Sequence, residues 1–200
     1  MIHFPKRRWH QHDIITESID ERYLSRIKSV INKAVEHHHR VLAIRVDLRY
    51  PKGYRFDHEA ITRFIASLKA KINHDCKIKN RRWNRNHNYR LRYIWCLEQD
   101  SSQTPHYHLL LLVNNDIYRG IGEYHNSNYL SGLISEAWSS ALADPDVQAY
   151  FPKNHSYRLN INSEDYDEQF NDLFYRVSYL AKTRTKNRSR QYRSFGTSAY

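Results

Sequence analysis

The sequence predicts an α+β domain, a central antiparallel sheet of about four to five strands flanked by helices. Three observations lead there. Segments of helical periodicity alternate with β-branched apolar runs in the order helix, strand, helix, strand, strand, helix, strand, helix. The two middle strands are separated by a short link, as in an antiparallel hairpin. The composition is that of a packed domain: 200 residues with 40% hydrophobic side chains and only five Gly and five Pro exclude a disordered or fibrous chain.

Taken in order, residues 1–17 are polar and basic with little periodicity, and read as an arm on the surface of a single domain spanning 18–186. From Ser18 to Glu36 the residues Leu24, Ile27, Ile31, Ala34 and Val35 recur at helical spacing. Val41 to Leu48 is a β-branched run closed by the turn signal Tyr50-Pro51-Lys52-Gly53. A second amphipathic helix carries Ile61, Phe64, Ile65, Leu68 and Ile72, with Asp57 as its expected N-cap. Residues 77–90 read as a basic connection containing one tryptophan. Leu91–Glu98 and His106–Val113 are strands joined by a turn over Asp100–Pro105. Tyr129 to Ala141 marks a third helix, Tyr157 to Ile161 a short strand, and residues 166 to about 183 a fourth helix. Residues 187–200 read as a basic tail.

Lys and Arg outnumber Asp and Glu by 32 to 21, a formal charge of +11, so a polyanion is the expected partner, nucleic acid ahead of an anionic membrane. No run of eighteen apolar residues suggests a membrane span, and the N-terminal residues lack an apolar signal core, so the expected location is cytoplasmic. Cys76 and Cys96 are the only cysteines and lack CxxC spacing, which argues against a disulfide framework or a zinc knuckle.

In Pro105-His106-Tyr107-His108-Leu109-Leu110-Leu111-Leu112-Val113, alternation puts His106 and His108 on one face with Leu110 and Leu112. Tyr107, Leu109, Leu111 and Val113 fill the other, so the strand is central and its histidines sit at one end. A hairpin with the preceding strand brings Glu98 beside them. Two neutral imidazoles and a carboxylate suit Mn, Co, Ni, Zn or, less tightly, Mg. Histidine clustering alone is weak evidence: His37-His38-His39 ends a helix, where histidine suits the carbonyl dipole.

At 100° per residue, the fourth helix puts Phe170, Leu173, Phe174, Val177 and Ala181 on a core face. Tyr175, Tyr179, Lys182 and Lys186 fall on the opposite one. Two tyrosines aligned with two lysines are unusual on a solvated face, although lateral packing accounts for them as well. Chemically, a phenol with a pKa near 10 becomes a useful nucleophile when a cation lowers that value or a metal activates the electrophile. Lys182, one turn after Tyr179, is placed to do the former.

These marks together resemble the HUH endonucleases, and among them the rolling-circle replication initiators similar to the inovirus gene II protein of filamentous phages and prophages. His106-Tyr107-His108 matches the histidine–hydrophobic–histidine motif, Tyr179-Leu180-Ala181-Lys182 the YxxK motif, and Glu98 the third metal ligand of many such initiators. The resemblance spans about residues 41–186. It implies a metal site of Glu98, His106 and His108 loaded with Mn²⁺ or Mg²⁺. It also implies site-specific nicking and joining of single-stranded DNA through a 5′-phosphotyrosine, with a host helicase or polymerase as a further partner. Two-tyrosine members carry YxxKYxxK, whereas here the first half is Tyr175-Arg176-Val177-Ser178. Tyr179 is therefore the primary nucleophile, and Tyr175 either a second one or a structural neighbour.

Lys77, Lys79, Arg81, Arg82 and Arg85 with Trp83 enter the strand that carries Glu98, an arrangement expected to bind phosphates and stack a base near the metal. Lys186 and its basic neighbours would add sequence-independent affinity. Three rival readings remain: a catalytically silent DNA-binding regulator of the same fold, a transposase using the same chemistry, and a two-histidine, one-carboxylate iron oxygenase. The last usually needs many more strands.

Overall fold

The computed structural model describes residues 6–16, 18–99, 105–124, 126–183 and 192–198. Their elements are β1 (Lys6–Trp9), β2 (His12–Ile15), α1 (Glu21–His38), β3 (Arg40–Arg49), α2 (Ala60–Trp83), β4 (Arg92–Glu98), β5 (His106–Asn114), α3 (Leu130–Leu142), β6 (Ser156–Asn160), α4 (Tyr166–Ser178), a 3₁₀ turn (Tyr179–Ala181) and β7 (Phe195–Thr197). Five strands form one sheet in the order β6-β3-β5-β4-β7, every neighbouring pair antiparallel. The α+β architecture is the one the alternating periodicities predict.

The central position of β5 follows from its two apolar faces. Tyr107, Leu109, Leu111 and Val113 meet Leu42, Ile44, Val46 and Leu48 of β3 beneath α2 and α3, where Phe64 and Trp138 are fully buried. On the other face Leu110 and Leu112 join Val41, Ala43, Ile94 and Cys96 beneath α1 and α4. The core face read for α4 is correct: Phe170, Leu173, Phe174, Val177 and Ala181 are all buried there.

Four expectations are corrected. The N-terminal arm is a hairpin: β1 pairs with β2 around His10-Gln11, Ile14 is buried in the second core, and Ile15 is buried as well. Strands of four residues are too short to show periodicity, and His10 takes φ +53° without the Gly or Asn that usually signals such a turn. Residues 77–83 are not a connection but the last two turns of α2. Lysine and arginine are good helix formers, and the apolar stripe ends at Cys76 only because the helix outruns the core. Asn84 in the left-handed region closes it, with Asn84 N–H bonded to Arg81 O and Arg85 N–H to Asn80 O.

Third, α2 begins at Ala60 with Glu59 in the N-cap position, rather than at Asp57. Asp57 acts one step earlier, its side chain accepting from Glu59 N–H and its carbonyl from Ala60 N–H. Fourth, the C-terminal tail contributes β7, which pairs with the outer edge of β4, and Phe195 is buried. The turn expected over Asp100–Pro105 falls mostly outside the described residues, as does Lys186.

Candidate metal centre

The register of β3, β5 and β4 assembles the site. Glu98 stands opposite His106, and His108 lies between Cys96 on β4 and Asp47 on β3. Side chains paired across an antiparallel ladder share a face, so Glu98, His106, His108 and Asp47 all project on the face covered by α4. His106 Nε2 and His108 Nε2 are 3.0 Å apart, and His108 Nε2 is 3.4 Å from Glu98 Oε2. One ligand atom from each of the three residues falls within a 4.8 Å cluster. The triad expected from the sequence is thus brought together by an ordinary hairpin register.

Sequence reasoning passed over the residue behind it. Asp47 Oδ1 accepts a hydrogen bond from His108 Nδ1 at 2.6 Å. With Nδ1 carrying that proton, the Nε2 lone pair of neutral His108 turns toward His106 and Glu98, the arrangement a metal-binding histidine needs. The clue was available, because Arg45 and Asp47 interrupt an otherwise apolar strand at alternate positions. Both are buried, at 6% and 5% exposure, and Arg45 helps to counter the charge of Asp47.

The electrostatics follow from burial set against pairing. Burial alone would depress His108, but the carboxylates of Asp47 and Glu98 outweigh it and raise its pKa to about 9. His106 goes the other way, lowered by burial and then by the charge of His108. Burial would raise Asp47, yet the His108 hydrogen bond and the cations around it hold it below its ordinary value. Without metal, His108 is therefore an imidazolium between two carboxylates. Glu98, His106 and His108 are a donor set that would suit a divalent cation, whose binding would compete with that proton.

Tyr179 comes to the same place from α4. Its hydroxyl lies 3.5 Å from Glu98 Oε2, and its ring packs edge-on against His108 with centroids 6.0 Å apart. Lys182 Nζ sits 5.0 Å from the Tyr179 ring centroid and is 8% exposed, so this lysine packs against the tyrosine instead of pointing to solvent. The reason is local. After Ser178 the helix tightens into the 3₁₀ turn, and residues 18–20 then bind its exit: Asp20 N–H donates to Ala181 O and Thr183 N–H to Ser18 O. Tyr175 is placed differently, its ring 4.9 Å from Lys6 Nζ of β1, with Ser178 Oγ donating to its carbonyl.

The basic residues of α2 do not adjoin the metal cluster, which corrects the placement expected for Lys77, Lys79, Arg81, Arg82, Trp83 and Arg85. Asn114 Nδ2 donates to Asn88 O, tying the segment after α2 to the end of β5 opposite His106, roughly 27 Å away at strand rise. Lys79 is further engaged by Asp75 at 2.6 Å. Trp83 is exposed there, on the side of the sheet away from the triad.

Comparison with known proteins gives a family. Residues 8–198 match the model of the YagK/YfjJ C-terminal domain. The chain is 37% identical over 193 residues to "Uncharacterized protein YfjJ" of Escherichia coli (strain K12), covering 88% of this chain and 93% of that protein. It is 34% identical over 190 residues to "Uncharacterized protein YagK" of the same strain, covering 88% and 91%. No solved structure matches. The chain belongs to the YagK/YfjJ C-terminal domain family.

Proposed function

We propose that this member of the YagK/YfjJ C-terminal domain family is a metal-dependent DNA-nicking enzyme of the HUH type, with Tyr179 as nucleophile. The observation that carries the reading is a shared oxygen: Glu98 Oε2 faces both His108 Nε2 and the Tyr179 hydroxyl. Glu98, His106 and His108 would therefore hold a metal within one side chain of the attacking group. The +11 charge supports a polyanionic substrate.

A bound Mn²⁺ or Mg²⁺ would polarise the scissile phosphate. Glu98, His106 and His108 orient it, and Asp47 holds His108 in the tautomer that leaves Nε2 free. Tyr179 attacks phosphorus; its Oη–P bond forms as the P–O3′ bond breaks. The phenolic proton leaves to water, and the departing 3′ oxygen takes one up. Lys182, buried against the Tyr179 ring, meets the phenolate charge as it develops. The phosphotyrosine conserves the bond for later joining by a 3′ hydroxyl. Tyr175, beside Lys6, takes the structural role in this scheme.

The test incubates the protein with a randomised pool of single-stranded DNA and Mn²⁺ or Mg²⁺, then looks for a covalent adduct on a denaturing gel. An adduct lost with EDTA and in Tyr179→Phe, but kept in Tyr175→Phe, is expected. Undiminished adduct in Tyr179→Phe overturns the assignment. DNA binding without adduct under any condition replaces the enzyme with a silent DNA-binding regulator.

A further inference from the structure

The strand register continues beyond the metal ligands to a residue that no motif singles out. The segment leading into β6 runs beside the C-terminal half of β3, where Asp47 and Tyr150 form an antiparallel bridge. Asp47 N–H donates to Tyr150 O at 2.9 Å and Tyr150 N–H to Asp47 O at 3.0 Å. Val147, Ala149 and Phe151 are buried in the core beneath α2 and α3. Alternation therefore turns Tyr150 to the opposite face, that of the metal cluster, and leaves the residue 51% exposed. In the next row Arg49, paired with His106, lays its guanidinium 4.8 Å from the Tyr150 ring centroid.

Tyr150, Asp47 and His108 thus form one row across the sheet. At about 4.8 Å per strand, Tyr150 stands roughly 10 Å from His108, two to three nucleotides of a stacked strand. Two backbone hydrogen bonds fix the Cα–Cβ direction of Tyr150, and the Arg49 guanidinium packs on its ring, so the side chain is partly ordered before a planar group settles on it. Arg49, with 61% side-chain exposure, sets its guanidinium over one face of the ring and 4.0 Å from Asp47 Oδ2, a cation beside the face left for a base.

We infer that Tyr150, flanked by Arg49, is a stacking platform for an unpaired base two or three nucleotides from the phosphodiester at the metal cluster. The inference rests on the nuclease reading, which already expects single-stranded DNA, and adds the residue that contacts its bases. A base inside a duplex already has both faces stacked, so this surface selects single-stranded DNA. Arg49 holds the flanking phosphate, while Tyr150 takes any base, since every base has a π face.

The experiment measures binding of fluorescein-labelled (dT)15, and of a duplex of the same length, by anisotropy in EDTA so that cleavage plays no part. Tyr150→Ala is expected to weaken (dT)15 binding by roughly 5- to 150-fold and to leave duplex binding unchanged, with Tyr150→Trp restoring it. The salt slope on (dT)15 should stay the same in Tyr150→Ala, because no phosphate contact is removed. Unchanged (dT)15 affinity in Tyr150→Ala overturns the platform, whether or not an adduct forms. Equal weakening on both DNAs, or loss of cooperative thermal unfolding in Tyr150→Ala, overturns it in favour of a structural role. Loss of the adduct with the Tyr150 effect intact would instead sink only the nuclease chemistry. No wild-type binding to (dT)15 removes the platform, while the adduct assay decides the nuclease reading by itself.

Discussion

Removing the carboxylate of Asp47 separates two effects that the structure sets against each other. Asp47 lies 2.6 Å from His108 Nδ1, and an outer partner of this kind is generally worth about 10- to 100-fold in metal affinity. It also helps to hold a proton on His108, whose pKa of about 9 lies above the ordinary value of 6.5. The sign follows from that direction: below pH 9 the free site carries the proton, metal must displace it, and affinity rises with pH until the proton is gone. At pH 7 the displacement costs on the order of 3 kcal/mol, at 1.36 kcal/mol per unit. In Asp47→Ala the imidazole is less well oriented but also less tightly protonated, so the losses partly cancel near neutrality. Titration calorimetry with Mn²⁺ in anaerobic buffer from pH 6.5 to 8.5 resolves them. Wild-type affinity should climb about tenfold per pH unit, and the ratio of wild type to Asp47→Ala should widen toward about 10–100 at the alkaline end. Asp47→Asn, which keeps an acceptor without the charge, should fall between. A ratio near one at pH 8.5 would refute the role given to Asp47, and a flat wild-type profile would refute protonated His108.

Two further outcomes test the scaffold. His38 is buried, with Nε2 bonded to Arg90 O, and burial brings its pKa down to about 4. Its folded value lies below its unfolded one, so its contribution is complete above pH 6.5 and is lost as pH falls toward 4. This amounts to about 2 kcal/mol after screening, and urea denaturation of His38→Gln should show a correspondingly shallower loss over that window. Gly196 in β7 lies against the indole of Trp95, leaving no room for a Cβ. Gly196→Ala should destabilise by about 1–3 kcal/mol in the same assay, and full stability would argue against the β7–β4 pairing.

The Glu98–His106–His108 cluster was legible because its geometry is local. Alternation puts His106 and His108 on one face, and a short link leaves antiparallel pairing as the simplest path that brings Glu98 alongside. The same alternation made β5 central, since both its faces are apolar. The helical period likewise separated the core side of α4 from the side bearing Tyr179. Where short-range periodicity fades, legibility fades with it: β1, β2 and β7 are three or four residues long and hold their shape through partners distant in sequence. The basic end of α2 was misread because a helix beyond the core needs no apolar stripe.

By itself, then, the sequence determined the two-faced sheet, the Glu98–His106–His108 cluster and the helix that carries the tyrosines, all of them consequences of periods of 2 and 3.6 residues. Only the tertiary structure decided which tyrosine meets the cluster, that Asp47 stands behind His108, and that Tyr150 flanks it. Those are matters of register between strands far apart in the chain and of how α4 ends. Register is set by the burial of both cores at once and by the contacts of residues 18–20 with the turn after Ser178. No pattern within one segment encodes either.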